Sequence, residues 1–263
     1  MAFYRDYDEA GFRAQYLMRE AVPDYEQYFV RWAETSDAAR RTLQHRLNLA
    51  YGPGRNDRLD VFLPTGNGPF PVHIFFHGGY WRALGKDDFG GVALALVPAG
   101  AIVVVVDYTL CPHATMDELV EQCRRSVIWI AGNIAEMGGD PSRLYMSGHS
   151  AGGHITAMMV NTDWAARGGM TGTLRGACSM SGLFDLEPMA LAPFLQPDLR
   201  LTPEQVVRNS PLNFVKPNPV PLILSVGENE TAEFHRQSAV YAKAWRAAGN
   251  AVEEIAVPGR HHY

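Results

Sequence analysis

The sequence predicts an α/β fold, a mostly parallel eight-stranded sheet with helices on both faces, built as one domain over residues 1–263. Three observations carry this. Short apolar runs of strand length recur at 72–76, 101–106, 144–146, 177–180, 222–226 and 254–257. Helix-length stretches separate most of them, at 88–99, 115–137, 151–162 and 231–248, and strand–helix alternation implies a parallel sheet covered on both sides. Finally, 47% hydrophobic and 19% charged residues in a chain of 263 supply one large core and exclude a disordered or collagen-like chain.

Taken in order, residues 1–42 form a helical arm unlike the rest. Nine aromatic residues fall in the first 32, and Tyr25, Tyr28, Phe29 and Trp32 follow i, i+3, i+4, i+7 after the Pro23-Asp24 start signal. The stripe is expected to anchor the arm on the sheet or the insertion; a second reading has earlier arm aromatics roof a pocket. From Arg46 the period becomes two: Leu47, Leu49 and Tyr51, then Leu59, Val61 and Leu63, joined by a Gly/Pro/Asn turn at 52–57, read as an antiparallel hairpin at a sheet edge. Residues 185–219 contain seven prolines and little periodicity, which reads as a cap-like insertion over the sheet's C-terminal edge and the active site.

Charge narrows the partners. Lys plus Arg is 23 against Asp plus Glu 28, a net −5 spread along the chain, which gives no footprint for nucleic acid or an anionic membrane and points to a small-molecule substrate. No apolar run approaches the ~20 residues that span a bilayer. Cys111, Cys123 and Cys178 show no C-x-x-C spacing, and with no signal peptide in view the expected setting is a reducing one, the cytoplasm. Oligomeric state stays open, a homodimer included.

Gly148-His149-Ser150-Ala151-Gly152 is a G-x-S-x-G lying between an apolar strand and a helical stretch. A serine on such a strained turn presents its Oγ above a helix N-terminus, whose amides favour developing negative charge. His77-Gly78-Gly79-Tyr80-Trp81 follows another strand, and acyl transfer needs backbone donors of the kind a glycine loop presents. Bulky Tyr80 and Trp81 beside that loop favour a small acyl group and are the expected substrate contacts. An acid after the seventh strand and a histidine after the eighth would complete a triad in the order Ser, Asp/Glu, His. Glu228 or Glu230 and His261 or His262 qualify; the shared offsets G-x-x-E and G-x-x-H favour Glu230 and His262. His77, His149 and His154 are expected to make structural hydrogen bonds. No metal-site spacing, P-loop or G-x-G-x-x-G is present, so no cofactor is expected.

The motifs HGGYW and GHSAGG, with the run from Glu230 to Ser238, resemble the arylformamidase (kynurenine formamidase) branch of the α/β-hydrolase superfamily, from about residue 51 onward. The resemblance implies Ser150 as nucleophile, Glu230 as acid and His262 as base, with an oxyanion hole from the amides of Gly79, Tyr80 and Ala151. Asp107-Tyr108-Thr109-Leu110-Cys111-Pro112 resembles the branch's D-Y-x-L-x-P strand end. Two departures stand out: glutamate replaces the usual aspartate, which triad chemistry accepts, and the sequence runs one residue past His262 where relatives usually continue into a helix. The implied activity is a serine hydrolase acting on an aryl formamide such as N-formylkynurenine. A short-chain carboxylesterase of broad specificity is the alternative, and a non-catalytic α/β-hydrolase-fold binding protein, which typically lacks a triad member, is the third reading.

Overall fold

A computed structural model describes residues 2–168, 172 and 174–263. The arm folds as α1 (Glu9–Tyr16), α2 (Met18–Ala21) and α3 (Glu26–Thr42). Then come β1 (Gln44–Ala50), β2 (Arg58–Leu63) and β3 (Phe70–Phe76), the short helices α4 (Lys86–Phe89) and α5 (Ala93–Leu96), β4 (Ile102–Val106) and α6 (Met116–Asn133). The site-bearing half follows: β5 (Gly139–His149), α7 (Ala151–Val160), β6 (Leu174–Met180), the helices α8 (Glu187–Leu191), α9 (Gln196–Leu199) and α10 (Pro203–Asn209), β7 (Leu222–Gly227), α11 (Ala232–Ala247) and β8 (Val252–Val257).

All eight strands join one sheet in the order β1-β2-β4-β3-β5-β6-β7-β8. β2 runs antiparallel to both neighbours, and from β4 to β8 every pairing is parallel. Burial explains the sequence pattern. The run Ile102–Val106 is buried at every position, as a central strand with helices on both faces must be, whereas edge strand β1 alternates and edge strand β8 is largely exposed. Parallel strands carry their C-terminal ends to one side, so the loops after β3, β5, β6, β7 and β8 converge there.

Two elements depart from expectation. The helix expected at 88–99 is instead α4, a 3-10 turn at Gly90–Val92, and α5; the Gly90-Gly91 pair is too poor a helix former to carry the helix through. The proline-rich segment 185–219 carries three short α-helices, with Pro188, Pro197 and Pro203 in the first turns of α8, α9 and α10 where their missing N–H costs nothing. Met189, Leu195 and Leu199 from this segment enter the main core.

Candidate active site

Ser150 occupies the single residue between β5 and α7 with φ 57° and ψ −118°, a strained conformation for a residue with a Cβ. The turn survives because its neighbour Gly152 has no side chain: a Cβ there would lie 1.9 Å from the carbonyl oxygen of Phe76. So held, Ser150 Oγ stands 3.1 Å from His262 Nε2, and His262 Nδ1 stands 2.7 Å from Glu230 Oε2. The carboxylate can only accept from Nδ1, which leaves the Nε2 lone pair of a neutral ring facing the serine hydroxyl. Glu230 Oε1 accepts two further bonds, from Ser181 Oγ at 2.5 Å and from the Gly227 amide at 2.8 Å. Burial pushes the Glu230 carboxyl up, but the bonds and charge of His262, then Ser181 and Gly227, outweigh it and hold the group down at about 2.

The rival residues face elsewhere. Glu228 Oε2 accepts from the Gly259 amide at 2.8 Å and braces the final turn. His261 Nδ1 accepts from the Tyr263 amide, so its Nε2 carries the proton and donates to Tyr28 Oη at 2.9 Å. Ser150, Glu230 and His262 are thus brought together, whereas Glu228 and His261 tie the last loop to its surroundings.

The loop after β3 lies beside Ser150, with Gly78, Gly79 and Tyr80 lining the same cleft. Gly79 has φ 109°, and a Cβ on it would meet the Ala83 carbonyl oxygen at 2.1 Å. Among the described residues the amides of Gly79, Tyr80 and Ala151 donate to no group of the chain, so all three remain free. Tyr80 Oη donates to the Tyr16 carbonyl at 2.6 Å, which ties loop to arm. Trp81 corrects the expectation of a substrate contact. It is fully buried, its indole N–H donates to His154 Nδ1 at 3.2 Å, and it borders no part of the cleft. His154 Nε2 in turn bonds the Asn209 carbonyl at 2.7 Å, a structural role as expected.

A cavity of about 150 Å³ opens over Ser150. Its roof is the arm: Leu17, Met18 and Arg19 from the α1–α2 region, and Phe29 and Trp32 from α3. The two readings of the arm therefore exchange residues. The stripe expected to rest on the sheet or insertion clasps Tyr263, with ring centroids 5.6–6.4 Å away, and puts Phe29 and Trp32 into the cleft. The earlier aromatics Phe12 and Tyr16 are fully buried against one another, Phe194 and Phe234. Segment 185–219 contributes no side chain to the lining.

Ser181 and Tyr263 had no assigned part in the sequence, and His149 was expected only to make a structural hydrogen bond. Ser181 follows the end of β6, so the strand-end rule that singled out the acid would also have found it. His149, the variable residue of G-x-S-x-G, lines the cleft with its ring 4.7 Å from that of His262, and burial drives its pKa down to about 3. Tyr263 also borders the cleft. Among the described residues, five of the eight non-glycine residues with positive φ, Tyr80, Trp81, Leu84, Ser150 and Ser181, lie in or directly behind the walls of the site. Among the described residues no three His, Cys, Asp or Glu side chains form a group able to hold a metal ion.

Residues 59–244 match the BD-FAE family. A kynurenine formamidase of Danio rerio is 37% identical over 87% of this chain and 78% of its own length. An esterase of Mycobacterium tuberculosis, LipQ, is 29% identical over 85% of this chain and 58% of its own. A solved structure from a Silicibacter species superposes with a TM-score of 0.84 at 26% identity, covering 94% of this chain and 90% of the other.

Proposed function

Since this chain belongs to the BD-FAE family and to the kynurenine formamidase branch of the α/β-hydrolases, we propose that it is a serine hydrolase releasing a small acyl group from an aryl formamide. The observation that carries this is the unbroken relay Ser150 Oγ, His262, Glu230, at 3.1 and 2.7 Å, in a cleft walled by aromatic rings.

The chemistry follows from the geometry. His262 Nε2 takes the Ser150 proton as Oγ forms its bond to the formyl carbon. The C=O pair moves onto oxygen, and the amides of Gly79, Tyr80 and Ala151 receive that negative charge. Collapse breaks the C–N bond, the imidazolium returns its proton to the departing arylamine, and a formyl-enzyme remains. Water, deprotonated by the same imidazole, then releases formate and restores the hydroxyl. Glu230 stays ionised throughout, fixes the tautomer and stabilises the imidazolium. The narrow cavity suits a small acyl group, and Phe29 and Trp32 offer an aryl leaving group faces to pack on.

A second reading, a short-chain carboxylesterase, is favoured by the LipQ resemblance, because the same relay cleaves esters. Three unpaired cysteines support a reducing, cytoplasmic setting. No helix among the described residues is long and apolar enough to cross a membrane. A fluorophosphonate should label the wild-type enzyme at Ser150 and leave Ser150→Ala unlabelled and inactive but folded. Turnover of Ser150→Ala within tenfold of wild type would end the serine-hydrolase reading. Parallel rates on N-formylkynurenine and a short-chain aryl ester separate formamidase from esterase.

A further inference from the structure

The charges around the cleft run opposite to those of the molecule. The chain carries a net −5, yet the cleft lining contains Arg19 and Arg82 and neither aspartate nor glutamate. The two arginines differ in what they already hold. Arg82 Nη1 donates to Asp198 Oδ2 at 2.6 Å and to the Phe194 carbonyl at 2.7 Å, so its charge is spent on the insertion. Arg19 forms no ion pair among the described residues, and its neighbour Glu20 is taken by Arg13 at 2.6 Å.

Arg19 is nonetheless placed. Its guanidinium lies over the rings of Tyr25 and Phe29, 5.2 and 5.7 Å from their centroids, and Phe29 is itself a cleft wall. Stacking occupies the flat face of a guanidinium and leaves its N–H edge free, the edge that grips a carboxylate in bidentate fashion. An aryl ring packed on Phe29 would bring its own substituents toward that edge.

We propose that Arg19 is a specificity-determining residue that selects, among acylated aryl substrates, those carrying a carboxylate on the aryl portion. The assignment rests on the hydrolytic reading above and deepens it. Arg19 is exposed, so solvent screening holds its effect to the lower end for a charge-assisted hydrogen bond, about tenfold.

The test uses matched pairs with the full-length enzyme: formanilide against 3-(3-formamidophenyl)propanoate, and phenyl acetate against 3-(3-acetoxyphenyl)propanoate. The readout is the ratio of kcat/KM for the carboxylated member to that for the neutral one. In wild type the ratio should exceed one and shrink as salt is raised. Arg19→Gln should lower it about tenfold, through KM, and abolish its salt dependence. Arg19→Lys, which keeps the charge but not the fork, should recover part of the loss. A merely structural Arg19 would lower both rates alike and leave the ratio fixed. That result, or a wild-type ratio below one, overturns the proposal while leaving the hydrolase reading standing. Failure of wild type to turn over any of the four substrates overturns both.

Discussion

Glu228 and Glu230 lie two residues apart in one turn, and the hydrogen bonds separate them: one braces Gly259, the other grips the imidazole. Glu230→Gln should reduce kcat by about three orders of magnitude or more, because an amide can present its N–H to Nδ1 and stabilise the wrong tautomer. Glu228→Gln should stay within about threefold, since its carboxylate supports only an exposed turn. Steady-state kinetics on a single aryl ester decides, and the opposite ranking would move the acid to Glu228. Ser181→Ala removes one of the two donors to Glu230 Oε1 and should lower kcat by about tenfold, the cost of one bond to a buried charge. The proposed triad was legible in the sequence because each member follows a strand end within three residues of a glycine, where backbone constraint leaves a signature. Ser181 carries the same strand-end mark, but its part depends on a partner 49 positions away, which no local pattern names. The free amides of Gly79, Tyr80 and Ala151 are likewise set by dihedral angles that residue type reveals only at the glycine.

The arm shows what pattern can reveal about an element and what it cannot. Spacing of Tyr25, Tyr28, Phe29 and Trp32 predicts α3 and its apolar face, because a helix repeats every 3.6 residues. It does not predict what that face meets, which is the C-terminal Tyr263 and the cleft rather than the sheet. Strands were legible for the opposite reason: a run such as Ile102–Val106, buried throughout, has few places to go except the centre of a parallel sheet. The arm's anchorage is polar as well as aromatic. Tyr16 Oη donates to the buried Glu233 at 2.7 Å, and Thr231 Oγ1 donates to the Gln15 carbonyl at 2.8 Å, both within three residues of Glu230. Loosening the arm should therefore disturb the acid, whereas trimming a roof ring should affect only the substrate. Trp32→Ala is expected to raise KM for an aryl ester by about fivefold to tenfold with kcat changed less, in line with ~0.5–1.5 kcal/mol for one aromatic pair plus lost contact area. KM for a small aliphatic ester should change little. Equal rises on both esters would mean that the ring supports the fold rather than the substrate.

At the scale of the molecule, the same packing that assembles the site makes the fold sensitive to acid. His73 in the sheet, bonded to Ser147 Oγ at 2.7 Å, and His154 beneath the site are both held down at about 4 by burial, and His149 at about 3. Below the ordinary histidine value of 6.5 the unfolded chain takes up protons that the native state refuses. Stability from these groups is therefore complete above pH 6.5 and declines as pH falls toward the folded values. Each neutral site costs up to about 2 kcal/mol at pH 5, at 1.36 kcal/mol per pH unit; the fully enclosed His154 should approach that figure and the less enclosed pair fall short of it. Glu230 acts in a separate window. Its carboxyl is depressed from 4.5 to about 2, so its contribution is present above pH 4.5 and disappears only as pH falls toward 2. Thermal melts should consequently show Tm falling between pH 7 and 5, before any effect of Glu230. In Glu230→Gln the deficit relative to wild type should hold constant over that range and shrink only below 4.5. Replacing one histidine tests the assignment directly: His73→Gln, which keeps a partner for Ser147, should flatten the fall between pH 7 and 5. A wild-type Tm indifferent to pH over that interval would mean that the buried rings take up protons in place, and that the sheet around Ser150 tolerates charge its packing gives no means to solvate.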